Sequence, residues 1–132
     1  MGIDNTTTVA DVMATPVETT SKQSTISDAA SVMHEHDINS LLVPGGEMGI
    51  ITSTDVLEAA AAGVDPTDCL VEEVMTAPVE SVKTNLRMQE VAAMMTNYEI
   101  SHLPVRDEHG DYVGMISSTD IRELVADPAA GE

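Results

Sequence analysis

Val9-Ala-Asp-Val-Met13-Ala-Thr-Pro-Val-Glu18 decides the fold, because this stretch returns 62 residues later as Val71-Glu-Glu-Val-Met75-Thr-Ala-Pro-Val-Glu80. The same spacing relates three later pairs, which are Ile38 with Ile100, Leu41 with Leu103 and Val43 with Val105. Beyond them, Gly49-Ile-Ile-Thr-Ser-Thr-Asp55 matches Gly114-Met-Ile-Ser-Ser-Thr-Asp120 at a spacing of 65 residues. Two copies of one pattern in the same order indicate an internal duplication.

Each copy has the same predicted order of helices and strands. A short helix ends before Pro16 or Pro78, since the residue before a proline avoids the helical region, and an extended segment follows. Thr25 and Asp28 form a capping-box pattern that opens a long amphipathic helix, and Asn85 is expected to open its counterpart. The predicted strands are Val17–Thr20, Ser40–Val43, Met48–Thr52, Val79–Val82, His102–Arg106 and Tyr112–Ser117, and the closing helices are Thr54–Ala62 and Thr119–Ala126.

The pattern predicts an α/β (α+β) fold of two tandem β-α-β-β-α motifs. The first motif is expected at residues 8–63 and the second at 71–126, with a linker at 64–70 and a flexible tail at 127–132. A motif of about 60 residues buries proportionately little surface, so the two are expected to pack on each other with pseudo-two-fold symmetry. The space between two similar halves is then a natural ligand cleft.

Composition narrows the classes of function. The chain has 132 residues, 23 acidic and 5 basic side chains and a formal charge of -18, so DNA and anionic membrane surfaces are expected to be repelled. Such acidity in a globular pattern suggests a protein adapted to a concentrated-salt cytosol, although an acidic mesophilic surface is the alternative. A single cysteine and the lack of a long apolar run predict a soluble, cytoplasmic protein.

The repeated Gly-x-x-Thr/Ser-x-x-Asp motif, at Gly49–Asp55 and Gly114–Asp120, carries the chemistry. It falls where a strand becomes a helix, and the free backbone N–H groups of a helix start can bind a phosphate or hydroxyl oxygen. An ionised aspartate accepts hydrogen bonds only, which suits the paired hydroxyls of a ribose. The same spacing also satisfies a helix capping box, and spacing alone favours that structural role.

The whole arrangement resembles the cystathionine β-synthase (CBS) domain family, whose motifs occur in tandem as a Bateman module. The repeated Val-Met-x-x-Pro-Val, the Ile-x-x-Leu-x-Val strand and the Gly-x-x-Thr/Ser-x-x-Asp motif carry the resemblance, which covers about residues 8–126. It implies a regulatory sensor that binds AMP, ADP, ATP or S-adenosylmethionine and signals through a separate effector protein or a change of assembly. No cofactor is required, and a homodimer is expected.

The resemblance also implies which residues contact the ligand. Thr52 with Asp55, and Ser117 with Asp120, would bind phosphate and ribose. The adenine would lie against the first extended segment and the strand after the first long helix of each copy. These candidates are Thr15, Val17, Ser40 and Leu41 in the first copy and Ala77, Val79, Ile100, Ser101, His102 and Pro104 in the second. Because uncharged Ser40 matches His102, the second site is expected to prefer anionic ligands.

Other classes of function have weaker support. Cys69 lies in the connector without a neighbouring histidine, and no serine elbow or P-loop occurs, so an enzyme is not expected. His34 and His36 diverge on a helix and have no cysteine or histidine cluster to complete a metal site. The remaining competitor is a ligand-free scaffold for oligomerisation or partner docking. Exposed residues of the closing helices, namely Val56, Leu57, Ile121 and Leu124, are the expected dimer surface.

Overall fold

The computed structural model describes residues 6–126, and the predicted tail at 127–132 lies outside these residues. The elements in chain order are α1 (Val9–Val12), α2 (Ile26–His36), β1 (Ser40–Val43), β2 (Gly49–Thr52), α3 (Ser53–Ala61), a 3₁₀ turn (Val71–Glu73), β3 (Val82–Lys83), α4 (Met88–Tyr98), β4 (His102–Arg106), β5 (Tyr112–Ser117) and α5 (Ser118–Ala126). The predicted mixed α/β class is confirmed.

The chain folds into two compact units that do not follow the order of the repeats. Within the described residues, unit 1 comprises residues 6–17 and 80–126, and unit 2 comprises Glu18–Val79. The opening segment of each sequence repeat therefore belongs to the unit that contains the long helices of the other repeat. The predicted motif boundaries describe the repeat along the chain, whereas the spatial units exchange these segments.

Unit 2 is a two-stranded antiparallel sheet with the amphipathic helices α2 and α3. All four residues of β1 are buried, and Ala29 and Met33 of α2 pack in the core with Leu41, Val43 and Ile51. The predicted strand Val17–Thr20 is reduced to one parallel bridge from Thr19 to Leu42. Val71, in the 3₁₀ turn, completes this core.

Unit 1 has the full β-α-β-β-α order that the sequence predicts. Its three-stranded sheet has the order β3-β4-β5, in which β3 is parallel and β5 antiparallel to β4. The strand predicted at Val79–Val82 is observed only at Val82–Lys83. Val79 cannot join it because its N–H binds the carbonyl of Met48 in unit 2 at 2.9 Å. The core joins Val9 of α1 to Met88, Val91, Met95, Leu103, Val105 and Ile116.

The start of α4 corrects a sequence prediction. Its N-cap is Arg87 and not Asn85, and Arg87 makes no side-chain capping bond. The N–H of Met88 instead binds the carbonyl of Thr7 at 3.0 Å, so backbone from the exchanged segment replaces a side-chain cap. Thr25, the matching residue of the first repeat, forms the predicted capping box with Asp28.

Within residues 6–126, no helix has the length and apolar character that crossing a membrane requires.

Candidate functional site

In unit 1, the candidate site lies at the junction between β5 and α5. Pairing of β4 with β5 places His102 directly opposite Ser117, so the two side chains start from neighbouring positions on one face. The N–H of Ser118 donates to the carbonyl of Ser101 at 2.8 Å, which fixes the first turn of α5 against the start of β4. Ser101 Oγ lies 3.2 Å from His102 Nδ1. These contacts gather a hydroxyl, an imidazole and the Asp120 carboxylate at one junction.

Unit 2 repeats this geometry with different side chains. Ser40 of β1 is opposite Thr52 of β2, and the N–H of Ser53 donates to the carbonyl of Asn39 at 2.9 Å. Ser40 is buried, at 7% exposure, whereas its counterpart His102 is half-buried. The two junctions therefore share a backbone and differ in the group at this position.

Both aspartates of the repeated motif form the helix capping box. Thr52 N–H donates to Asp55 Oδ2 at 2.8 Å, and Asp55 N–H approaches Thr52 Oγ1 at 3.4 Å. In the other junction Ser117 N–H donates to Asp120 Oδ2 at 2.9 Å, and Asp120 N–H donates to Ser117 Oγ at 3.2 Å. The motif thus has the structural role that its spacing favours. Oδ1 takes no part in either box, so capping leaves one carboxylate oxygen for a ligand.

The exchanged segments run beside these junctions. Ala14 and Met115 exchange two backbone hydrogen bonds of 2.9 and 3.0 Å in unit 1, and Thr76 and Ile50 exchange two of 2.9 Å in unit 2. Each bridge leads directly into a cis X-Pro peptide, Thr15–Pro16 or Ala77–Pro78. The backbone after each repeated methionine is thereby held next to the strand that ends at the capping box.

The glycine of each motif permits this approach. A Cβ on Gly114 would lie 2.5 Å from the sulfur of Met13 and 3.1 Å from the carbonyl oxygen of Ala14. On Gly49 it would lie 3.0 Å from the sulfur of Met75 and 3.1 Å from the carbonyl oxygen of Thr76. The glycines are therefore required by the packing of the exchanged segments.

The structure divides the sequence-predicted site residues between the two units. Unit 1 holds Thr15, Val17, Ile100, Ser101, His102, Pro104, Ser117 and Asp120, and unit 2 holds Ser40, Leu41, Thr52, Asp55, Ala77 and Val79. Sequence reasoning grouped each opening segment with a strand of its own repeat and missed its pairing with β5 or β2. The glycine inside each strand-ending motif is the available signal, because a strand glycine marks a close backbone approach.

Burial limits what some of these residues can contribute. The side chains of Leu41 and Pro104 are buried, Leu41 in the unit 2 core, so only their backbones can reach a ligand. Thr15, Ala77 and Ser101 are exposed, and Thr52, Asp55, Ser117 and Asp120 are half-buried. Half-buried polar groups beside an exposed backbone turn can bind a ligand without unfolding the core.

The surroundings of the Cys69 thiol do not favour a nucleophile. Removal from solvent, and then the charge of the Glu73 carboxylate, raise the pKa of the Cys69 thiol and disfavour the nucleophilic thiolate. Across residues 6–126, histidine, cysteine and carboxylate side chains form no group of three or more that could hold a metal ion.

A duplicated sequence pattern whose two strand-to-helix junctions each carry a helix-capping aspartate defines a tandem module of two related motifs. The CBS domain model matches residues 9–62 and 71–127. The chain belongs to the CBS domain family, and the resemblance seen in its sequence is confirmed.

The chain is similar to proteins of different lengths. L-aspartate semialdehyde sulfurtransferase of Methanocaldococcus jannaschii is 34% identical over 121 residues, which are 89% of this chain and 23% of that protein. Hypoxic response protein 1 of Mycobacterium tuberculosis is 32% identical over 119 residues, which are 87% of this chain and 82% of that protein. The chain thus spans under a quarter of the sulfurtransferase but most of the hypoxic response protein.

One solved structure of a CBS domain pair contains adenosine compounds. It is a complex with 5′-methylthioadenosine and S-adenosyl-L-methionine. Its TM-score with this chain is 0.79 and its sequence identity 34%, over 89% of this chain and 94% of that one.

Proposed function

We propose that this chain is a non-catalytic regulatory module that binds an adenosine-containing ligand at its strand-to-helix junctions. The candidate ligands are AMP, ADP, ATP and S-adenosylmethionine. The observation that carries the proposal is the geometry of Asp55 and Asp120, whose Oδ2 atoms cap a helix while Oδ1 remains outside the box. A carboxylate fixed through one oxygen is pre-organised to accept a ribose hydroxyl through the other.

Other groups in the same units support this proposal. The exposed turns at Thr15 and Ala77 offer backbone groups for the adenine edge, and Ser117 and Thr52 add hydroxyl groups near the helix starts. The adenosine compounds bound by a CBS domain pair of the same fold support this choice of ligand class.

The two sites are proposed to be unequal. His102 can present a positive charge beside Ser117, whereas the matching Ser40 is uncharged and buried beside Thr52. A cationic imidazole favours a phosphate over a neutral group. AMP is therefore expected to favour the unit 1 site, and His102→Ala is expected to weaken AMP there while leaving the unit 2 site unchanged.

Calorimetric titration with AMP, ATP and S-adenosylmethionine tests the proposal. The full chain is expected to bind at least one of them, and Asp55→Ala and Asp120→Ala are each expected to remove one site. Asp55→Asn and Asp120→Asn are the matched controls, because an asparagine oxygen keeps much of the helix cap. If the alanine and the asparagine variant at one position both lose binding while the asparagine variant stays folded, the aspartate is needed for ribose recognition and not only for the helix cap.

The alternative function is a ligand-free scaffold for oligomerisation or partner docking. The observation that favours it is the capping box itself, which accounts for both motif aspartates without any ligand. If the wild-type chain shows neither heat nor a change in melting temperature with any adenosine ligand, the sensor proposal fails and the scaffold remains.

Signalling is proposed to involve a homodimer and a separate effector protein. Leu57 of α3 is 69% exposed, and Val56 beside it is half-buried. Ile121 and Leu124 of α5 are also half-buried. Covering these apolar side chains by a second copy would remove them from water. Light scattering is expected to show a dimer that Leu57→Asp weakens, and a wild-type monomer at all concentrations would contradict this.

A further inference from the structure

Two of the five Lys and Arg residues lie side by side at the end of the unit 1 sheet. Lys83 of β3 and Arg106 of β4 are direct partners in the parallel ladder, and both are exposed. Their strand neighbours Val82 and Val105 are buried, so the two cations share the opposite face. Like charges directly opposite each other destabilise a sheet unless something neutralises them.

Among the described residues, no carboxylate forms an ion pair with Lys83 or Arg106. The chain has 23 acidic residues, yet within residues 6–126 neither Lys83 nor Arg106 has a carboxylate oxygen within 4.0 Å. The two acidic residues of the adjoining turn have other contacts: Asp107 Oδ1 accepts from the N–H groups of His109 and Asp111, and Glu108, whose side chain is 86% exposed, lies 3.7 Å from His109. Two adjacent cations that form no ion pair within residues 6–126 of so acidic a chain indicate a place for an external anion.

Arg106 is already held in position for binding. Its Nε donates to the carbonyl of Gly110 at 3.0 Å, and its guanidinium carbon lies 5.2 Å from the centre of the Tyr112 ring. Gly110, at φ +86°, leaves room for the guanidinium, since a Cβ there would lie 3.0 Å from one terminal nitrogen. A guanidinium fixed through Nε keeps its two terminal nitrogens for a bidentate oxyanion.

The cations line a pocket of about 450 Å³ between β3 and the β4–β5 turn. Its lining residues are Ser81, Val82, Lys83, Arg106, Asp107, Glu108, His109 and Gly110. Ser81 adds a hydroxyl group, and the turn supplies one wall of the pocket. The volume is sufficient for a small polyvalent anion.

Comparison of the two repeats indicates that this pocket is particular to the second one. Ser21 and Pro44 stand at the positions that match Lys83 and Arg106, so the first repeat lacks this pair and has a single cation, Lys22, beside Gly45 of its turn. The turn between the two strands is also three residues longer in the second repeat. The charges and the longer turn therefore occur together in one copy of the duplication.

We infer that the pocket formed by Ser81, Lys83, Arg106 and the 107–110 turn binds a phosphate-type oxyanion, as free inorganic phosphate or as the phosphate of a metabolite. This site is distinct from the proposed adenosine site. Arg106 and His102 are at opposite ends of β4, about 13 Å apart at the usual rise of a strand. A polyvalent anion would relieve the repulsion between the two cations and tie β3 to the turn.

Inorganic pyrophosphate is the probe, because it lacks the adenosine that the other site is proposed to recognise. In an amide NMR titration at about 0.3 M KCl, where long-range repulsion by the acidic surface is screened, saturable shifts are expected at residues 81–83 and 106–110. Lys83→Gln and Arg106→Gln are each expected to weaken pyrophosphate about tenfold or more, as loss of a charged hydrogen bond implies. Inorganic phosphate and AMP, titrated in parallel, distinguish a free from an esterified phosphate.

Arg122→Gln is the matched control, because it removes an equal charge from the exposed surface of α5. It is expected to change pyrophosphate affinity less than about twofold, since an exposed charge outside the pocket is screened. The inference is overturned if the Arg122 variant loses as much affinity as the pocket variants, or if pyrophosphate causes no saturable shifts. Shifts confined to residues 117–120 would also overturn it, and would assign the phosphate to the adenosine site. If the wild-type chain binds pyrophosphate but not AMP, that result counts against the adenosine proposal alone.

Discussion

At the scale of single residues, Gly114 and Gly49 are the most demanding positions of the repeated motif. We expect Gly114→Ala to destabilise the protein by about 1–3 kcal/mol, because the new methyl group overpacks against Met13 and the Ala14 carbonyl. Gly46→Ala is the control, since nothing lies within 4 Å of a Cβ at that position. Urea unfolding measures the difference, and equal midpoints for the two variants would contradict this account of the motif glycine.

Which residues could be predicted depends on how local their interactions are. The capping pairs Thr25 with Asp28 and Thr52 with Asp55 follow from a three-residue spacing, and the structure forms both. The buried face of Ala29 and Met33 likewise follows from helical periodicity. The packing of Met13 on Gly114 joins residues about a hundred positions apart, and no local pattern encodes such a contact.

At the scale of elements, the two long helices start from different caps on equivalent backbones. Thr25 caps α2, whereas Arg87 stands at the start of α4 with Glu90 three residues later. Substitution by serine would complete a capping box with Glu90. We therefore expect Arg87→Ser to be about 1 kcal/mol more stable than Arg87→Ala, a comparison in which both variants lose the same charge.

Thermal and urea unfolding of this pair check the expectation. Thr25→Ala removes an existing cap from α2, and the free energy of unfolding is expected to fall by about 1 kcal/mol. A serine variant no more stable than the alanine variant would show that the bond from Met88 N–H to Thr7 already satisfies the helix start. The wrong placement of this cap at Asn85 has the same origin, because a backbone partner from the exchanged segment leaves no side-chain signal.

At the scale of the whole molecule, the exchange of opening segments between the repeats could not be predicted from the sequence. Both repeats carry the same Val-Met-x-x-Pro-Val pattern. The sequence pattern therefore does not show which opening segment pairs with β2 and which pairs with β5. The family, the β-α-β-β-α order and most strand bounds follow from periodicity and duplication. Thr15 belongs to unit 1 and Ala77 to unit 2. This assignment depends on chain length and three-dimensional packing, which a repeated sequence pattern does not contain.

The net charge of -18 gives the last prediction, which concerns the whole surface. Two ion pairs within 4.0 Å lie in the described part of the chain, His36 with Glu18 and His109 with Glu108, and each requires a protonated histidine. Added salt therefore has almost no attractive pairs to weaken, while it screens repulsion among the carboxylates as the Debye length falls from about 10 Å at 0.1 M to about 3 Å at 1 M. We expect the melting temperature to rise with KCl over this range, and a stabilisation of about 2 kcal/mol would correspond to roughly 8 °C.

Charge screening must be separated from the general stabilisation that excluded solutes give to any folded protein. A variant with four exposed carboxylates converted to amides, Glu35→Gln, Glu58→Gln, Glu72→Gln and Glu123→Gln, provides that separation. Because fewer charges repel one another, this variant is expected to be the more stable in dilute buffer and to gain less from KCl. Sucrose, which leaves charge interactions unscreened, is expected to raise both melting temperatures equally. Identical KCl responses of the two proteins would mean that carboxylate repulsion does not limit the stability of this fold, and that its acidity is no adaptation to salt.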